Sequence, residues 1–373
     1  MSVFHTVIIG AGPAGCAAAI GLARHGRCTV TLIEAAAFPR VKVCGECISP
    51  AAAGVLESLL SADELIGLGA RRARRYVLEL GEASRTWETP APTWSLSRGT
   101  LDAALLAEAR RCGARVIQPA TVERVEYASE SALVHLRDGE SLEVSVVMHA
   151  DGKGRHDARR ATPMRAGVVG CKCLMRLPPG TLSGIHMRSA AGAYIGLVEV
   201  EDGLATCAFT VRSSLVARFR GDLDALLGSL WPAYRPAWRE AAGALGSWLS
   251  CGVAASGYIR PGHARSLRIG NAAAAVEPIG GEGIGLALWS GSRAADLMNE
   301  ALGETGVPDV GRLIAVERAL ANDYRRRLRV RRPSCRAAAA LLMRPGLLGA
   351  LWPIISRPAV TLSPWWRLSG KVA

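Results

Sequence analysis

The first thirty-four residues constrain this chain more than any later stretch. An apolar run, His5-Thr-Val-Ile-Ile9, ends in Gly10-Ala-Gly12-Pro-Ala-Gly15. An alanine-rich stretch of helical character continues to Arg24, and Thr29-Val-Thr-Leu-Ile33 then leads to Glu34. The order is strand, glycine turn, helix, strand, acid, the layout of a dinucleotide-binding βαβ unit. Each glycine has a separate physical task. Gly10 permits the tight turn, Gly12 lets the backbone approach a pyrophosphate, and Gly15 lets helix and strand pack closely. The unpaired amides at the helix start then face the phosphate charge. Glu34 lies 19 residues after Gly15, where a carboxylate accepts ribose hydroxyls and disfavours a 2′-phosphate. The bound nucleotide is therefore expected to be FAD or NAD rather than NADP.

The remaining composition narrows the class. A chain of 373 residues, half of them apolar, supports two packed domains and argues against disorder. Lys and Arg number 45 against 32 Asp and Glu, a formal net charge of +13. Such an excess suits an anionic cofactor, an acidic carrier protein or a membrane surface; an arginine-rich surface without a specific partner explains it equally well. The basic residues are scattered and form no nucleic-acid-binding module, so no nucleic-acid partner is expected. Ten cysteines in so long a chain read as reduced thiols in a cytoplasmic protein, with no secretory signal before the first strand. Cys44-Gly-Glu-Cys47 has the spacing of a redox pair or of half a zinc site, but Cys171-Lys-Cys173 does not complete a zinc set, and no metal is expected. The most apolar stretch, Ala337 to Ile355, is interrupted by Arg344, Pro345 and Pro353. It reads as short helices packed on the body, with peripheral membrane contact as the other reading, and not as a transmembrane span.

Three further segments add to the first. Phe38-Pro-Arg-Val-Lys-Val-Cys-Gly-Glu-Cys-Ile-Ser-Pro50 follows the second strand, and Ala150-Asp-Gly152 ends a later one. Ile269-Gly-Asn-Ala-Ala-Ala-Ala-Val-Glu-Pro-Ile-Gly-Gly-Glu-Gly-Ile-Gly-Leu-Ala287 is a short strand end, a glycine-rich turn and the start of a helix from about Gly283. The dipole of that helix start stabilises negative charge placed before it. Together with the Gly10–Gly15 turn, and with Ser97-Arg98 followed by Leu101, Asp102 and Leu105, these segments resemble the flavoprotein group containing aromatic-ring hydroxylases, geranylgeranyl reductases and flavin-dependent halogenases. The resemblance covers roughly the first three hundred residues and implies FAD as cofactor.

By that resemblance, Gly10, Gly12, Pro13, Ala14, Gly15, Glu34 and Ala35 bind the dinucleotide, and Arg40, Lys42, Cys44 and Gly45 belong to the loop near the flavin ring. Arg98 reaches the cofactor, with Val122, Asp151 and Gly152 beside it. Asn271, Pro278, Gly281, Gly283, Ile284 and Gly285 contact the ribityl chain and the pyrimidine edge. One departure stands out: the group has Gly-Asp at the ribityl contact, whereas this chain has Gly270-Asn271. An amide oxygen still accepts a hydroxyl proton, but as a neutral and weaker acceptor.

The expected fold is α/β: a Rossmann-like FAD-binding domain, made of a parallel sheet with a β-meander, plus an inserted antiparallel substrate sheet and a helical C-terminal tail. The expected divisions are 1–155 with 252–305, then 156–251, then 306–373. Thr121 to Met148 alternates apolar and polar residues around an Asp138-Gly139 turn and reads as the meander. Gly167–Met175, Tyr194–Val200 and Ala205–Val211 read as strands of the second sheet, Leu215–Trp248 as helical, and Gly252–Pro261 as the return to the first domain.

Flavin carries the redox chemistry while protein groups position the substrate. Oxygenation, reduction of a carbon–carbon double bond and halogenation are all open to the resembled group. Halogenases of that group carry Trp-x-Trp-x-Ile-Pro, which this chain lacks. The stretches at 194–200 and 278–283 are more similar to monooxygenase-type members, which favours hydroxylation or epoxidation of a hydrophobic or aromatic substrate over isoprenoid-type double-bond reduction. No second nucleotide fingerprint is visible, so NADH or NADPH would visit transiently or a partner would supply electrons. Cys44, Glu46, Glu277 and Tyr194 are the weak catalytic candidates, with His186 and Glu282 beside them. Their ordinary alternatives are packing for Cys44, an acceptor for Lys42 or Arg40 in Glu46, helix-terminal bonding for Glu282, and core or surface roles for His186 and Tyr194. A non-catalytic nucleotide-binding protein keeps the fold, and an NAD-dependent dehydrogenase leaves the 270–287 segment without a purpose.

Overall fold

The computed structural model describes residues 4–153, 164–177, 181–232, 248–254, 257–303 and 308–369. Strand β1 (His5–Ile9), helix α1 (Pro13–His25) and strand β2 (Thr29–Ile33) form the expected βαβ unit. Pro13 opens α1, where its missing N–H costs nothing, and Gly26 ends it in the left-handed region at φ 66°. The chain continues through β3 (Cys47–Ile48), α2 (Pro50–Leu59), α3 (Ala62–Gly67), β4 (Arg71–Leu80), β5 (Ala83–Ser95), α4 (Arg98–Arg111) and β6 (Arg115–Ile117). Next come β7 (Val122–Tyr127), β8 (Ala132–Leu136), β9 (Ser141–Val144) and β10 (Val146–His149). The second half holds β11 (Met164–Arg176), β12 (Ile185–Ala190), β13 (Ala193–Glu199), β14 (Leu204–Arg212), α5 (Ser213–Arg218), α6 (Leu223–Leu230), β15 (Leu249–Ala254) and β16 (Ser266–Arg268). It closes with α7 (Gly283–Leu302), α8 (Val310–Leu342), α9 (Pro345–Ile355) and α10 (Ser363–Ser369).

Five strands pair in parallel in the order β16-β10-β1-β2-β6. Both faces of this sheet are covered, as an all-parallel sheet requires. Ile8 joins the helical layer of α1, α4 and α7, while Val7, Ile9, Ile33 and Val147 pack on Val122, Val134 and Leu136. The latter belong to the antiparallel three-stranded meander β7-β8-β9. The expected meander ran to Met148. The structure ends it at Val144, because Val146, Val147 and Met148 are buried and pair with β1 instead.

The second sheet has eight strands in the order β15-β11-β14-β13-β12-β4-β5-β3. It is mixed, not purely antiparallel as expected: β12 runs parallel to β4, because the two come from separate passages of the chain. It also draws β3, β4 and β5 from the first hundred residues. Its edge strand against β11 is β15, whose last three residues, 252–254, were expected to begin the return to the nucleotide-binding part. One face packs on α5, α6 and Trp231, and the other on α8, α9 and α10. Of the expected helical stretch Leu215–Trp248, α5 and α6 are seen, and 233–247 lie outside the described residues. The apolar tract from Ala337 is not a set of short helices throughout: 337–342 complete the 33-residue helix α8, and only then does α9 begin.

Candidate functional site

The glycines of the first turn sit where a side chain would not fit. Gly10 has φ 101°, and a methyl group there would lie 2.6 Å from the Ala150 carbonyl oxygen. This brings the ends of β1 and β10, and with them Asp151 and Gly152, to one place. A methyl on Gly15 would meet the Gly10 carbonyl far inside contact distance. Glu34, buried at the end of β2, accepts from the Ala11 amide at 2.8 Å and from the Ala36 amide at 2.9 Å. A carboxylate offers about four acceptor positions, so two bonds leave room for ribose hydroxyls.

Two guanidiniums stand over this turn. A methyl on Gly12 would lie 3.8 Å from an Arg40 nitrogen and 3.9 Å from an Arg98 nitrogen. Both arginines are aimed by one fully buried carboxylate. Asp102 accepts from Arg40 at 2.9 Å and from Arg98 at 2.8 and 2.7 Å. Burial opposes the charge on Arg98, but the Asp102 carboxylate outweighs it and holds the guanidinium above its usual range. The buried Nε of Arg40 has no hydrogen-bond partner among the described residues. The result is an anion cradle: a backbone turn on one side, two fixed cations on the other.

The second glycine turn meets the first. Gly270, at φ 58°, donates its amide to Ser290 Oγ at 2.9 Å, and a methyl on it would lie 2.7 Å from Ala14 Cβ. A methyl on Gly281, at φ 64°, would lie 3.7 Å from Cys47 Cβ, and one on Gly285 would strike Ala52 at 2.7 Å. Helix α7 starts at Gly283 without a side-chain cap; the Glu282 side chain turns to Arg331, 3.7 Å away, rather than to the helix amides. Asn271, Pro278 and Gly283 are exposed, Gly281 is half-buried, and Ile284 and Gly285 lie beneath them. The starts of α1 and α7 thus border one region, as the two glycine motifs imply. Of the other expected positions, Ala35, Lys42 and Gly45 are exposed near the cradle, whereas Val122 is buried under the meander.

Glu46 differs from expectation. It is fully buried and has φ 55°, in the left-handed region. Its carboxylate pairs with Lys172 and Thr206 of the mixed sheet and accepts from the Arg98 amide at 2.6 Å. Lys172 and Thr206 were not among the sequence candidates. A lysine inside an otherwise apolar strand, Val168 to Met175, is the sequence signal for such a pair, since a buried ammonium requires a carboxylate. Cys44 is pushed up by burial, with the Arg98 charge opposing; it remains a thiol and packs on the core.

Two sequence candidates do come together. Tyr194 Oη lies 3.3 Å from Glu277 Oε1, whose other oxygen accepts from Arg165 at 2.8 Å. Burial, and then the Glu277 charge, raise the Tyr194 phenol well above its ordinary value. Tyr194 and Ile279 belong to an apolar cluster that extends through Met187, Cys335 and Leu342 to Leu348 on α9. His186 is elsewhere: it bonds Glu79 at 2.9 Å beside Arg188, an ion group on the neighbouring interior strands β12 and β4. An open cleft of about 850 Å³ lies between α8 and residues 257–258, and Arg325, Arg326, Arg329, Arg332 and Arg336 line its α8 side.

Residues 8–47 match the NAD(P)-binding Rossmann-like domain family. Over 98 % of its length this chain is 30 % identical to the menaquinone reductase of Mycolicibacterium smegmatis, covering 91 % of that protein. It is also 30 % identical to the menaquinone reductase of Mycobacterium tuberculosis H37Rv, over 96 % of this chain and 88 % of that one. Among solved structures, Pseudomonas aeruginosa PqsL with 2-aminobenzoylacetate superposes with a TM-score of 0.78 at 18 % identity, over 94 % of this chain and 99 % of PqsL. The flavin-dependent brominase Bmp2 gives 0.76 at 18 % identity, over 98 % and 94 %. These two likenesses speak for the fold. The cradle at Gly12, the unbonded Arg40 Nε and the uncapped start of α7 fit a flavin dinucleotide.

Proposed function

The chain belongs to the FAD-dependent oxidoreductase family that includes the mycobacterial menaquinone reductases, and from that membership we propose that it reduces a carbon–carbon double bond in a long, apolar, isoprenoid-bearing lipid. The observation that carries the reading is the apolar cluster between the mixed sheet and α8–α10, which ends at one polar group, Tyr194 with Glu277. A wall of this kind suits a hydrocarbon chain and offers little to orient a small polar substrate.

In this reading Gly10, Gly12 and Gly15 admit the pyrophosphate, Arg40 and Arg98 neutralise it, and Glu34 takes the ribose. Asn271 faces the ribityl chain, and the start of α7 faces the pyrimidine edge. FAD, when bound, supplies the electron pair. Saturating one double bond takes two electrons and two protons, so a proton must reach the second carbon. In this reading Tyr194 Oη holds that proton: burial and Glu277 keep the phenol neutral, and Arg165 pairs with the carboxylate behind it. NADH or NADPH is the proposed electron source, visiting from outside.

Oxygenation of a hydrophobic substrate, favoured by the similarity of residues 194–200 and 278–283 to monooxygenases, is the competing reading. An acidic carrier presenting the substrate belongs with it. One experiment separates the two. Purified yellow enzyme is reduced, then incubated anaerobically with a menaquinone carrying an unsaturated side chain. The product is re-oxidised in air, which reverses reduction of the quinone ring, and its mass is measured. A persistent gain of two hydrogens is expected. No gain under these conditions, with one oxygen atom added in a parallel aerobic reaction, would overturn reduction in favour of oxygenation.

A further inference from the structure

Helix α9 contributes one face to the apolar cluster and shows another to solvent. Leu348 is buried, whereas Leu347, Leu351 and Ile354 are 49 %, 37 % and 54 % exposed. Their i, i+4, i+7 spacing places them on one stripe of the helix. Leu368 on α10 is exposed as well. Cations frame this surface: exposed Arg344 and Arg357 bracket α9, and exposed Arg367 adjoins Leu368. Beyond Asp323 the sequence contains no Asp or Glu, but it has ten Arg and Lys371, so the last fifty residues carry +11. The crowding is felt within α8. Arg332 is lowered by burial and then by Arg336, and Arg327 by burial and then by Arg331.

We propose that the outer face of α9 and α10 docks on an anionic lipid bilayer. An apolar stripe flanked by arginines is the pattern of a helix lying in the interfacial plane, with its side chains in the acyl boundary and its cations at the headgroups. Among the described residues no single helix is long and apolar enough to cross a membrane. Eleven-residue α9 spans roughly 16 Å, about half a hydrocarbon core. It turns away from α8 by 104°, so it does not prolong the longer helix. A second copy is a poor occupant, since it would press one all-cationic surface against another. The placement also sets the bilayer beside the cluster to which the proposed reductase site belongs. Leu348, Trp352 and Ile355 of α9 belong to the same apolar cluster as Tyr194 and Ile279. That relation to a substrate rests on the reductase reading; the docking does not.

Flotation of the FAD-loaded protein with vesicles tests the docking without any turnover. Two kinds are used, phosphatidylcholine alone and an equal mixture with phosphatidylglycerol. Wild type is expected to float with the mixed vesicles and to be released by high salt. Replacing Arg344 and Arg357 by Gln should weaken partitioning by roughly fivefold for each charge removed. The exposed-face variant Leu347→Ser/Leu351→Ser/Ile354→Ser should lose about a hundredfold or more, while keeping its flavin absorbance and its melting temperature. Three results would overturn the proposal: no flotation of wild type, equal partitioning of wild type and the serine variant, or a dimer that the serine variant dissolves. Failure of double-bond reduction together with intact vesicle binding would strike the reading of the reaction and leave the docking surface standing.

Discussion

Gly291 of α7 lies against the Ala14 carbonyl of α1 so closely that a methyl on Gly291 would fall far inside contact distance of that oxygen, and within 2.9 Å of Ala17 Cβ and the Ala18 amide. Gly21 meets Ala295 across the same pair of helices. This contact sets the distance between the two helix starts that border the proposed flavin site. Gly291→Ala is expected to destabilise the protein by about 1–3 kcal/mol, since backbone cannot yield as a flexible side chain does. It should also release FAD at lower denaturant than wild type. Urea titration followed in parallel by flavin fluorescence and far-UV circular dichroism checks both; unchanged midpoints would show that the helices separate freely.

Asp102 is the shared anchor of Arg40 and Arg98. Asp102→Asn keeps the shape but removes the charge that aligns two guanidiniums over Gly12. Weaker FAD binding is expected, by about ten- to a hundredfold given what charge-assisted bonds contribute. Equilibrium dialysis of the apoprotein with FAD measures it. The same dialysis on Arg40→Gln and Arg98→Gln should show losses that are not additive with Asp102→Asn, because the three side chains act as one network.

The parts of this site that could be read from the sequence are those written as local patterns. Gly10, Gly12, Gly15 and Glu34 fix their own backbone and neighbours, and Gly270 to Gly285 does the same two-thirds along the chain. Their meeting is not local; it depends on Gly291 and Gly21, which lie in ordinary helical sequence. The mixed sheet was harder still, since β4 joins β12 across more than a hundred residues of sequence. Val146 to Met148 was assigned to the meander because alternation does not reveal which sheet a strand joins. Tyr194 and Glu277 were legible as polar residues in suspicious places, but only the fold brings them together. Glu46 was read with its sequence neighbours because Lys172 lies 126 residues away.

That buried pair gives a sharp expectation. Lys172→Met leaves the Glu46 carboxylate without its ammonium in a fully buried position, a loss of about 3–5 kcal/mol. Glu46→Gln with Lys172→Met removes both charges and should recover a large part of that loss. Chemical denaturation of the two variants and of wild type tests the coupling. If the double variant is no more stable than Lys172→Met alone, the pair is not what holds the Cys44–Cys47 loop to the mixed sheet.

Tyr194→Phe removes the hydroxyl that faces Glu277 and keeps the ring that packs in the apolar cluster. In the proposed reaction kcat should fall by about ten- to a thousandfold, with KM for the lipid and FAD retention little changed. The phenol is raised well above its ordinary value by burial and then by Glu277. Wild-type kcat should therefore show no limb from tyrosine ionisation below about pH 10. Steady-state kinetics across pH on both proteins checks the assignment; equal kcat values would remove Tyr194 from the proton path.

Glu201 ties the mixed sheet to the helix that carries Arg98. Its carboxylate accepts from the Ser97 amide at 2.9 Å, from Thr100 Oγ1 at 2.6 Å and from Ser97 Oγ, all at the start of α4. Burial pushes its acidity in the unfavourable direction, but these donors outweigh it and hold the carboxyl below the usual carboxylate value. The linkage follows directly. With the folded value below the unfolded one, the stabilisation is present above the unfolded pKa and drains away as pH falls through the folded pKa. Wild type should therefore lose melting temperature on acidification below about pH 4.5, and flavin should leave along the same limb as the start of α4 loosens. Glu201→Gln keeps one acceptor oxygen but turns an NH₂ group towards donors, so it should be less stable at neutral pH by about 1–3 kcal/mol and show a flatter acid limb. Melting curves of both proteins at matched ionic strength, from neutral pH downwards, decide it. Parallel acid limbs would place the acid sensitivity on other carboxylates and detach Glu201 from the position of Arg98.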